Sequence, residues 1–398
     1  MRVYHMTEQS YFPAWEGDQK LRVDLPNKHC DPKIAGDLFH RYYDEWLLAD
    51  DLGLDIFINE HHATATCMSS VAAIPLAILA RESKKAKLLV LGYPLGNRMD
   101  PLRCAEELSI IDVLSRGRLE MGFVKGVPYE LPVSNLNPVQ IMDRFWEGHD
   151  FILKAMTSHD GPFNWEGEFY HYRHVNVWPR AYQDPHPPVW ITTSSKGNAK
   201  QIAARGHVMA TMGTGYASKG TYDAYKEQRR AMGEPEPGIE KFAYLGLVAV
   251  GSTPEEARRR GELISEYNKS SGRVHPPFAN PPGFLSVDDN ARLLKAGSKR
   301  LARLVTKDGR YITPSKASVE ELVDAGMMFC GTPDQVYQQI VDFSDAIGGI
   351  GNFLAMMQAG YLSHDDTVSN LTLFAKEVLP RLKEYRYTPR EDAAAAAE

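Results

Sequence analysis

The sequence predicts an α/β chain folded as a (β/α)8 TIM barrel, because short β-type runs alternate regularly with longer amphipathic segments. Two further observations agree with this fold class. The 398 residues are 43% hydrophobic and 24% charged, which is typical of a globular chain with a large core and disfavours disorder, collagen and a coiled coil. One α/β barrel takes about 250 residues, so this length does not require a second domain.

The barrel prediction rests on eight strand candidates with helix candidates between most of them. The strand candidates are the runs 3–6, 55–58, 87–92, 119–123, 189–192, 208–211, 242–250 and 352–357. The helix candidates are the segments 34–47, 71–80, 100–111, 139–156, 197–205, 222–232 and 368–382. Asp31-Pro32 and Asp100-Pro101 each supply an N-cap followed by a proline that the first helical turn tolerates. Thr253 to Glu256 and Thr332 to Gln335 fit the capping-box pattern, which predicts two further helix starts.

Three segments fall outside this alternation. The aromatic, turn-rich stretch from Phe163 to Trp178 predicts a surface hairpin. The proline-rich stretch from Ser270 to Met328 lies between strands seven and eight and contains a basic helix candidate, Lys295 to Arg303. We expect this insertion to act as a lid or as a partner surface, and the alanine-rich tail 387–398 to fray. The predicted organisation is one barrel domain over 1–386, with a lid-like insertion over 270–328 and a flexible tail.

Composition and charge narrow the expected function to small-molecule chemistry. Lys plus Arg number 45 against 51 Asp plus Glu, a net charge of −6, so no broad basic field is available for nucleic acid or an anionic membrane. The four cysteines lie far apart without a Cys-x-x-Cys spacing, which indicates neither a disulfide framework nor a zinc knuckle. No apolar run reaches about 18 residues, and polar residues from Thr7 onward begin too early for a signal peptide. We therefore expect a cytoplasmic protein.

Polar side chains follow four of the predicted strands, at the end where a barrel carries its active site. Asn59 to His62 follow strand two, Tyr93 follows strand three, Lys125 follows strand four, and Ser194 to Asn198 follow strand five. Because the carboxyl ends of parallel strands share one rim, we expect these groups to converge there.

The segment after strand five is a candidate phosphate site. Ser194, Ser195 and Gly197 leave the N–H groups of a helix start free to face an anion. Lys125 and Arg144 would supply the counter-charge. The alternative is that Ser194 only caps its helix while both cations are solvated.

His61 and His62 are adjacent after strand two, so on an extended loop we expect their side chains to diverge and only one to face a pocket. Zinc asks for three or four converging ligands, and Glu60 is the only nearby carboxylate, which disfavours a metal site. Two alternatives remain, because imidazole titrates close to working pH. The histidines are structural, or one of them handles protons beside a cofactor.

A glycine-rich motif, Gly213 to Ser218, follows strand six and is similar to a dinucleotide-binding fingerprint. Its third glycine is replaced by Ser218, and no acidic residue can be placed at the end of a following strand. A barrel loop is therefore the better interpretation.

Several motifs, taken in order and spacing, resemble the bacterial luciferase-like flavin monooxygenases over residues 1–386. The matching segments are Leu47–Asp55, Glu60–His62, Asp100–Glu107, Ile111–Arg118, Trp178–Pro179, Pro187–Trp190, Ala203–Gly206, Gly331–Val336 and Leu373–Pro380. The combination is specific, although each piece alone is not.

The resemblance implies a barrel that binds reduced FMN non-covalently and uses O2 to oxygenate a small organic substrate through a flavin C4a-peroxide. Aromatic and aliphatic residues near the strand starts and in the insertion indicate that this substrate is hydrophobic. The resemblance also implies a separate NAD(P)H:flavin reductase that supplies the reduced flavin, and a homodimer. By position, His61 matches the catalytic histidine of the family, and the bond between Gly92 and Tyr93 matches a non-proline cis peptide below the flavin ring. The residues that the resemblance assigns to cofactor binding are Glu60, Gly92, Tyr93, Lys125, Arg144, Ser194 and Ser195.

The sequence departs from the family pattern at two flavin contacts. Val124 stands where luciferase itself has a cysteine, and Gly197 replaces a phosphate-binding threonine, which argues against light emission and leaves oxygenation standing. A deazaflavin-dependent dehydrogenase of the same fold is the first alternative, and a non-catalytic flavoprotein is the second. A metallohydrolase is a third.

Overall fold

The structure, a computed structural model, describes residues 1–16, 22–288, 290–291 and 304–388. The strands are β1 (Arg2–Met6), β2 (Asp55–Ile58), β3 (Leu88–Pro94), β4 (Leu119–Val124), β5 (Phe163–Glu166), β6 (His171–Val175), β7 (Val189–Thr192), β8 (Val208–Met212), β9 (Phe242–Val250), β10 (Leu304–Val305), β11 (Tyr311–Ile312), β12 (Met328–Gly331) and β13 (Asn352–Met356). The α-helices are α1 (Pro32–Asp51), α2 (Ala73–Glu82), α3 (Pro101–Ser115), α4 (Leu131–Ser134), α5 (Ile141–Thr157), α6 (Lys196–Ala204), α7 (Ser218–Ala231), α8 (Pro254–Ser271), α9 (Pro276–Ala279), α10 (Val319–Asp324), α11 (Pro333–Ile347), α12 (His364–Leu373) and α13 (Leu379–Glu384).

Eight parallel strands close into a barrel, so the predicted fold class is confirmed. Around the barrel the strands follow the order β1, β2, β3, β4, β7, β8, β9 and β13, and β13 pairs back with β1. Parallel neighbours require crossover connections, and the helices that make them cover the outside of the barrel. β9 extends beyond β8, so its second half, Leu247 to Val250, pairs with β12.

The predicted caps set several helix starts. Asp31 and Asp100 each accept hydrogen bonds from the first turn of their helices, α1 and α3. The Thr332–Gln335 capping box of α11 is complete. The Thr253–Glu256 box is only half formed, because the Glu256 carboxylate bonds instead to the backbone and hydroxyl of Ser252. The prediction of a full box at α8 is therefore wrong.

The core has two layers, one inside the barrel and one between the strands and the helices. Successive strand residues face opposite layers: Tyr4 packs inside with Phe57 and Trp190, whereas Val3 packs outside with Trp46. Burying each such side chain contributes roughly 1.5–3 kcal/mol. Because side chains fill the interior, a ligand site belongs at the carboxyl-end rim.

The aromatic stretch after α5 forms the predicted surface hairpin, in which β5 pairs antiparallel with β6. Phe151 of α5 stacks on Tyr172 of β6, with 4.6 Å between the ring centroids. The hairpin is thereby packed onto the helix that precedes it.

The last helix is interrupted, so the prediction of one continuous helix over 368–382 is wrong. A π-helical turn over Phe374–Val378 separates α12 from α13. Pro380 lacks the N–H that a regular helix would donate to the carbonyl four residues earlier, so α-helical pairing cannot continue through it.

The later part of the insertion predicted over Ser270–Met328, from residue 304 onward, packs on the barrel. β10 pairs with β11, and Leu304 and Leu322 are buried in the same apolar cluster as Tyr4 and Phe57. These apolar side chains make the later part a component of the core. A lid role for the insertion stays a prediction. The basic helix candidate at Lys295–Arg303 lies outside the described residues, as does the predicted tail from 389 to 398.

Within the described residues, no helix combines the length and the apolar surface that crossing a bilayer requires. The cysteines Cys30, Cys67, Cys104 and Cys330 carry free thiols. Burial raises the pKa of the Cys67 thiol to about 12, so this thiol is a packing group rather than a nucleophile.

Candidate active site

Buried polar side chains gather at the carboxyl-end rim of the barrel, where the sequence places the site. Some of their donor or acceptor atoms have no hydrogen-bond partner within the described ranges. These atoms belong to Gln9, Asn59, Asn97, Arg98, Arg144 and Gln358. All but Arg144 lie in loops that follow β1, β2, β3 or β13. Buried polar atoms in proteins nearly always have partners, so these groups are suited to meeting a ligand or ordered water.

Both histidines of the predicted pair contact one carboxylate, that of Glu130. Nδ1 of His61 lies 2.7 Å from Oε1 of Glu130, and Nδ1 of His62 lies 3.4 Å from Oε2. The expectation that the two rings diverge is therefore wrong. The loop after β2 is bent rather than extended, with a positive φ of 55° at Ala63, and the buried Glu130 lies within reach of both rings.

These hydrogen bonds define how His61 can handle a proton. Burial raises the pKa of Glu130, but the hydrogen bonds from His61 and His62 outweigh burial and lower that pKa to about 2. An ionised carboxylate only accepts, so His61 donates through its Nδ1–H. In the neutral imidazole the lone pair then lies on Nε2, which makes no hydrogen bond within the described part of the chain. His61 is thus arranged to accept a proton at Nε2.

His62 is held between two carboxylates and has a different chemistry. Its Nε2 lies 3.7 Å from Oε1 of Glu60, while its Nδ1 faces Glu130. The hydrogen bond to Glu130 raises the pKa of His62 in spite of burial. An imidazolium that directs both N–H groups at carboxylates has no lone pair to offer as a base.

Glu60 joins His62 to a half-buried arginine, Arg98. Its carboxylate is 3.1 Å from Nη2 of Arg98 and accepts a hydrogen bond from the Ala72 N–H at 2.9 Å. Burial raises the pKa of Glu60, and Arg98 opposes this effect. The Arg98 guanidinium also lies 4.7 Å from the ring centroid of Tyr93. Glu60 therefore holds Arg98 and His62 in place, and its contact with a cofactor stays a prediction.

The non-proline cis peptide bond joins Leu91 to Gly92, so the assignment to the Gly92–Tyr93 bond is wrong by one residue. The pairing of β3 with β4 shifts register at the same place, between Leu91 and Tyr93. A Cβ at Gly92 would lie 2.5 Å from the carbonyl oxygen of Gly122, so the two backbones approach closely here. The Tyr93 side chain packs in the outer core layer and donates to Glu107 at 3.2 Å. The contact of Gly92 and Tyr93 with a cofactor stays a prediction.

The segments predicted to hold a phosphate meet around the starts of α5 and α6. A Cβ at Gly96 would lie 2.2 Å from the Lys125 carbonyl oxygen and 2.7 Å from Ile141, so the loops after β3 and β4 meet the start of α5. Nδ2 of Asn198 lies 3.8 Å from Sδ of Met142. The first turn of α6 is therefore beside that of α5.

Two cations belong to this region, and their contacts differ. Nη2 of Arg144 donates to the carbonyl oxygen of Arg98 and to the hydroxyl of Tyr170, both at 3.1 Å. Its Nε is buried and has no acceptor within the described ranges, so one donor is left for an oxyanion. Nζ of Lys125 donates to the carbonyl oxygen of Phe284 at 2.6 Å. A phosphate contact by Lys125 stays a prediction, and it requires the ammonium to share its three donors.

The helix start after β7 is open to an anion. Ser195 rather than Ser194 occupies the N-cap of α6, and no side chain there bonds to the first turn. The alternative in which Ser194 caps the helix is therefore wrong. Ser194 and Gly197 are exposed, and a Cβ at Gly197 would contact only the Ser195 hydroxyl, at 3.7 Å. Uncapped first-turn N–H groups together with the helix dipole favour a phosphate at this place.

The glycine-rich loop after β8 is closed by protein groups. A Cβ at Gly215 would lie 2.1 Å from the carbonyl oxygen of Ala325, and the N–H of Gly215 donates to the Tyr244 hydroxyl at 3.0 Å. This loop therefore packs as a barrel connection. The described residues contain no group of three or more His, Cys, Asp or Glu side chains arranged to hold a metal ion.

The sequence analysis missed two residues of this site, Glu130 and Arg98. Glu130 is 69 positions from His61 and lies in the 3-10 helix Pro128–Glu130. The signal that could have identified both is their place a few residues after β4 and β3, on the same rim as His61.

Comparison with known proteins assigns the chain to a family. The model of the family described as luciferase-like monooxygenase matches residues 27–348. The chain belongs to the luciferase-like monooxygenase family. The resemblance that the sequence motifs predict is thereby confirmed.

Relatives of this luciferase-like chain share the fold over nearly its whole length. It is 26% identical to the FMNH2-dependent dimethylsulfone monooxygenase of Pseudomonas putida, over 78% of each chain. The structure of monooxygenase RslO1 from Streptomyces bottropensis superposes with a TM-score of 0.73 at 21% identity, covering 96% of this chain and 99% of that one. An F420-dependent secondary alcohol dehydrogenase superposes with a TM-score of 0.66 at 15% identity, with the same coverage. The two structural likenesses show the barrel fold.

Proposed function

We propose that this luciferase-like protein is the oxygenase component of a two-component monooxygenase, which uses reduced FMN and O2 to oxygenate a small, hydrophobic organic substrate. A separate NAD(P)H:flavin reductase supplies the reduced flavin. The observation that carries the proposal is the pairing of His61 with Glu130 at 2.7 Å, because it leaves Nε2 to accept a proton on the rim that also carries an uncapped helix start. The FMNH2 dependence named for the Pseudomonas putida relative supports the choice of cofactor.

The residues of the rim fit an FMN phosphate. The first-turn N–H groups of α6, the hydroxyls of Ser194 and Ser195, the buried Nε of Arg144 and the ammonium of Lys125 would hold it. Reduced flavin, when bound, supplies the chemistry that activates O2. His61 accepts or donates the reaction proton at Nε2, and Glu130 fixes the orientation and the tautomer of its ring.

The first part of the insertion is suited to act as a lid over this rim. A Cβ at Gly283 would lie 2.4 Å from Val139, Phe284 contacts Lys125, and α9 contacts the Pro128–Glu130 turn. The segment therefore covers the loop that carries Glu130. A cover at this position would exclude water during oxygenation.

An exposed apolar face supports a homodimer. The face consists of large apolar side chains of α2, α3 and the turn before α2, which are Val71, Ile74, Ile78, Ile110, Val113 and Leu114. Ile74 is 59% exposed, and α2 packs against α3, so the two helices present their apolar side chains together. Contiguous apolar surface of this kind marks association sites, and a two-fold dimer covers it with a second copy of itself.

The first alternative is a deazaflavin-dependent dehydrogenase, favoured by the likeness to the F420-dependent alcohol dehydrogenase. The second is a non-catalytic flavoprotein. Both alternatives use the same anion site, and the non-catalytic flavoprotein needs no proton-handling His61.

The experiment that separates these functions is anaerobic titration with reduced FMN, followed by rapid mixing with O2. We expect reduced FMN to bind and its release of hydrogen peroxide to be slower than from free reduced FMN. Immediate peroxide release from bound flavin would indicate a flavin-storing protein. Binding of reduced F420 in preference to reduced FMN would indicate the dehydrogenase.

A further inference from the structure

We propose that the Arg22 guanidinium binds a carboxylate group of the substrate, so that the substrate is an apolar molecule with one carboxylate. This inference rests on the proposed function and deepens it, because it names the class of substrate that reaches His61.

Arg22 lies beside the candidate active site although it is distant from it in sequence. Its backbone N–H donates to the carbonyl oxygen of Arg273 at 2.7 Å, beyond the end of α8. Its guanidinium carbon is 5.2 Å from the ring centroid of Tyr129. Tyr129 directly precedes Glu130, which binds His61. The guanidinium is therefore next to the turn that positions the proton-handling histidine.

The Arg22 guanidinium lies near the Glu8 and Glu130 carboxylates and hydrogen-bonds with the Tyr129 hydroxyl, but its ion pair with Glu8 is long. Its side chain is 12% exposed, and its Nη2 lies 4.0 Å from Oε1 of Glu8, at the limit of an ion pair. The other oxygen of Glu8 accepts from the Tyr267 hydroxyl at 3.4 Å. Nε of Arg22 is buried and has no acceptor within the described ranges. A desolvated guanidinium is costly unless it is paired and hydrogen-bonded, so this group is suited to a second anion.

Arg98 differs from Arg22, because it pairs with Glu60 at 3.1 Å. Arg144 also has a buried Nε without an acceptor in the described ranges, but it lies near the proposed phosphate site. The guanidinium fork of Arg22 matches the two oxygens of a carboxylate. Tyr129, which is only partly buried, supplies aromatic surface for the apolar body of such a molecule. The proposed substrate thus keeps the apolar character expected from the sequence and adds one acidic group.

The test uses phenylacetate as the probe and phenylacetamide as its neutral counterpart, titrated calorimetrically into the full-length protein with reduced FMN under anaerobic conditions. We expect phenylacetate to bind more tightly than phenylacetamide. Arg22→Gln should weaken phenylacetate binding about 10- to 100-fold, the range for hydrogen bonds to a charged group, and should leave phenylacetamide binding unchanged. Arg230→Gln, which changes an exposed arginine of α7, is the matched control.

Three outcomes would overturn the assignment. The first is that phenylacetate binds no more tightly than phenylacetamide. The second is that Arg22→Gln binds phenylacetate as tightly as the parent does. The third is that Arg22→Gln no longer binds reduced FMN, which would make Arg22 a flavin ligand. Failure of the parent to bind reduced FMN would overturn the proposed function, and the two probes titrated without flavin would still test Arg22. If Arg22→Gln does not fold, the NMR resonance of the Arg22 Nε–H group in the parent tests the proposal instead. It should shift with phenylacetate and not with phenylacetamide, and an equal response to both would refute the proposal.

Discussion

His61 and His62 are neighbours in sequence but have different proton chemistry. Both ring nitrogens of His62 face a carboxylate, Glu130 or Glu60, whereas only Nδ1 of His61 does. We predict that His61→Ala slows substrate oxygenation by about 10² to 10⁴-fold, the usual contribution of general acid–base catalysis. FMN binding should be nearly unchanged, and the consumed O2 should appear as hydrogen peroxide. Single-turnover stopped-flow measurements of product and peroxide check this.

His62→Ala is the matched control for that substitution and should have a milder effect. Normal product yield in His61→Ala together with a collapse in His62→Ala would reverse the assignment. Two variants that both behave like the parent would make the histidine pair structural.

Arg144 provides a second prediction at the residue scale. Arg144→Ala should weaken FMN binding by about 1.5 to 3 kcal/mol, because the variant loses a charged donor to the phosphate. Calorimetric titration with FMN measures this loss. The control is Arg103→Ala, since Arg103 is exposed on α3 and pairs with Glu106. Unchanged affinity in Arg144→Ala would remove Arg144 from the site.

At the scale of elements, a buried histidine pair joins α5 to the start of β8. Nε2 of His149 lies 2.8 Å from Nε2 of His207, and Nδ1 of His149 lies 2.7 Å from Oδ1 of Asp150. His149 therefore donates to Asp150 and accepts from His207, which requires the His149 ring to be neutral. Burial, with His149 adding to it, lowers the pKa of His207 to about 3.

This pair should make the free energy of unfolding depend on pH. An unfolded histidine has a pKa of about 6.5, so as pH falls from there toward 3 the unfolded chain binds a proton that folded His207 does not. The effect of His207 on the free energy of unfolding is therefore absent above about pH 6.5, and it lowers that free energy as the pH falls below this value. We predict that His207→Gln has a smaller loss of stability between pH 7 and pH 4.5, measured by urea unfolding.

The control for this prediction is His29→Gln, which changes an exposed histidine in a 3-10 turn. This variant should keep the pH dependence of the parent. If His207→Gln loses as much stability between pH 7 and pH 4.5 as the parent, protonation of His207 is not a cause of the pH dependence.

At the scale of the whole molecule, the apolar face of α2 and α3 predicts the state of assembly. Ile74→Glu places a charge in the middle of that face, and we expect it to convert a dimer into monomers in sedimentation-velocity experiments. Met232→Glu is the control, because Met232 is also exposed but follows α7. A monomeric parent, or a dimer in which Ile74→Glu changes nothing, would contradict the proposed interface.

The sequence by itself determined the barrel, because strand period, helix caps and turn residues are local properties. The strand over Phe242–Val250 and the hairpin after α5 are where these patterns place them. The position of His61 at the end of β2 followed from the same alternation. Residue types near strand ends also indicated the proposed phosphate site around Ser195 and Arg144.

Only the tertiary structure decided the contacts between residues that are distant along the chain. Glu130 reaches His61 across 69 positions, and no local pattern encodes this pairing. The same holds for Arg22 beside Tyr129, and for the second half of the insertion, which fills core space beside β9. Closing the barrel brings separate loops to one rim, so the electrostatics of this site are a property of the closed barrel and cannot be predicted from single segments.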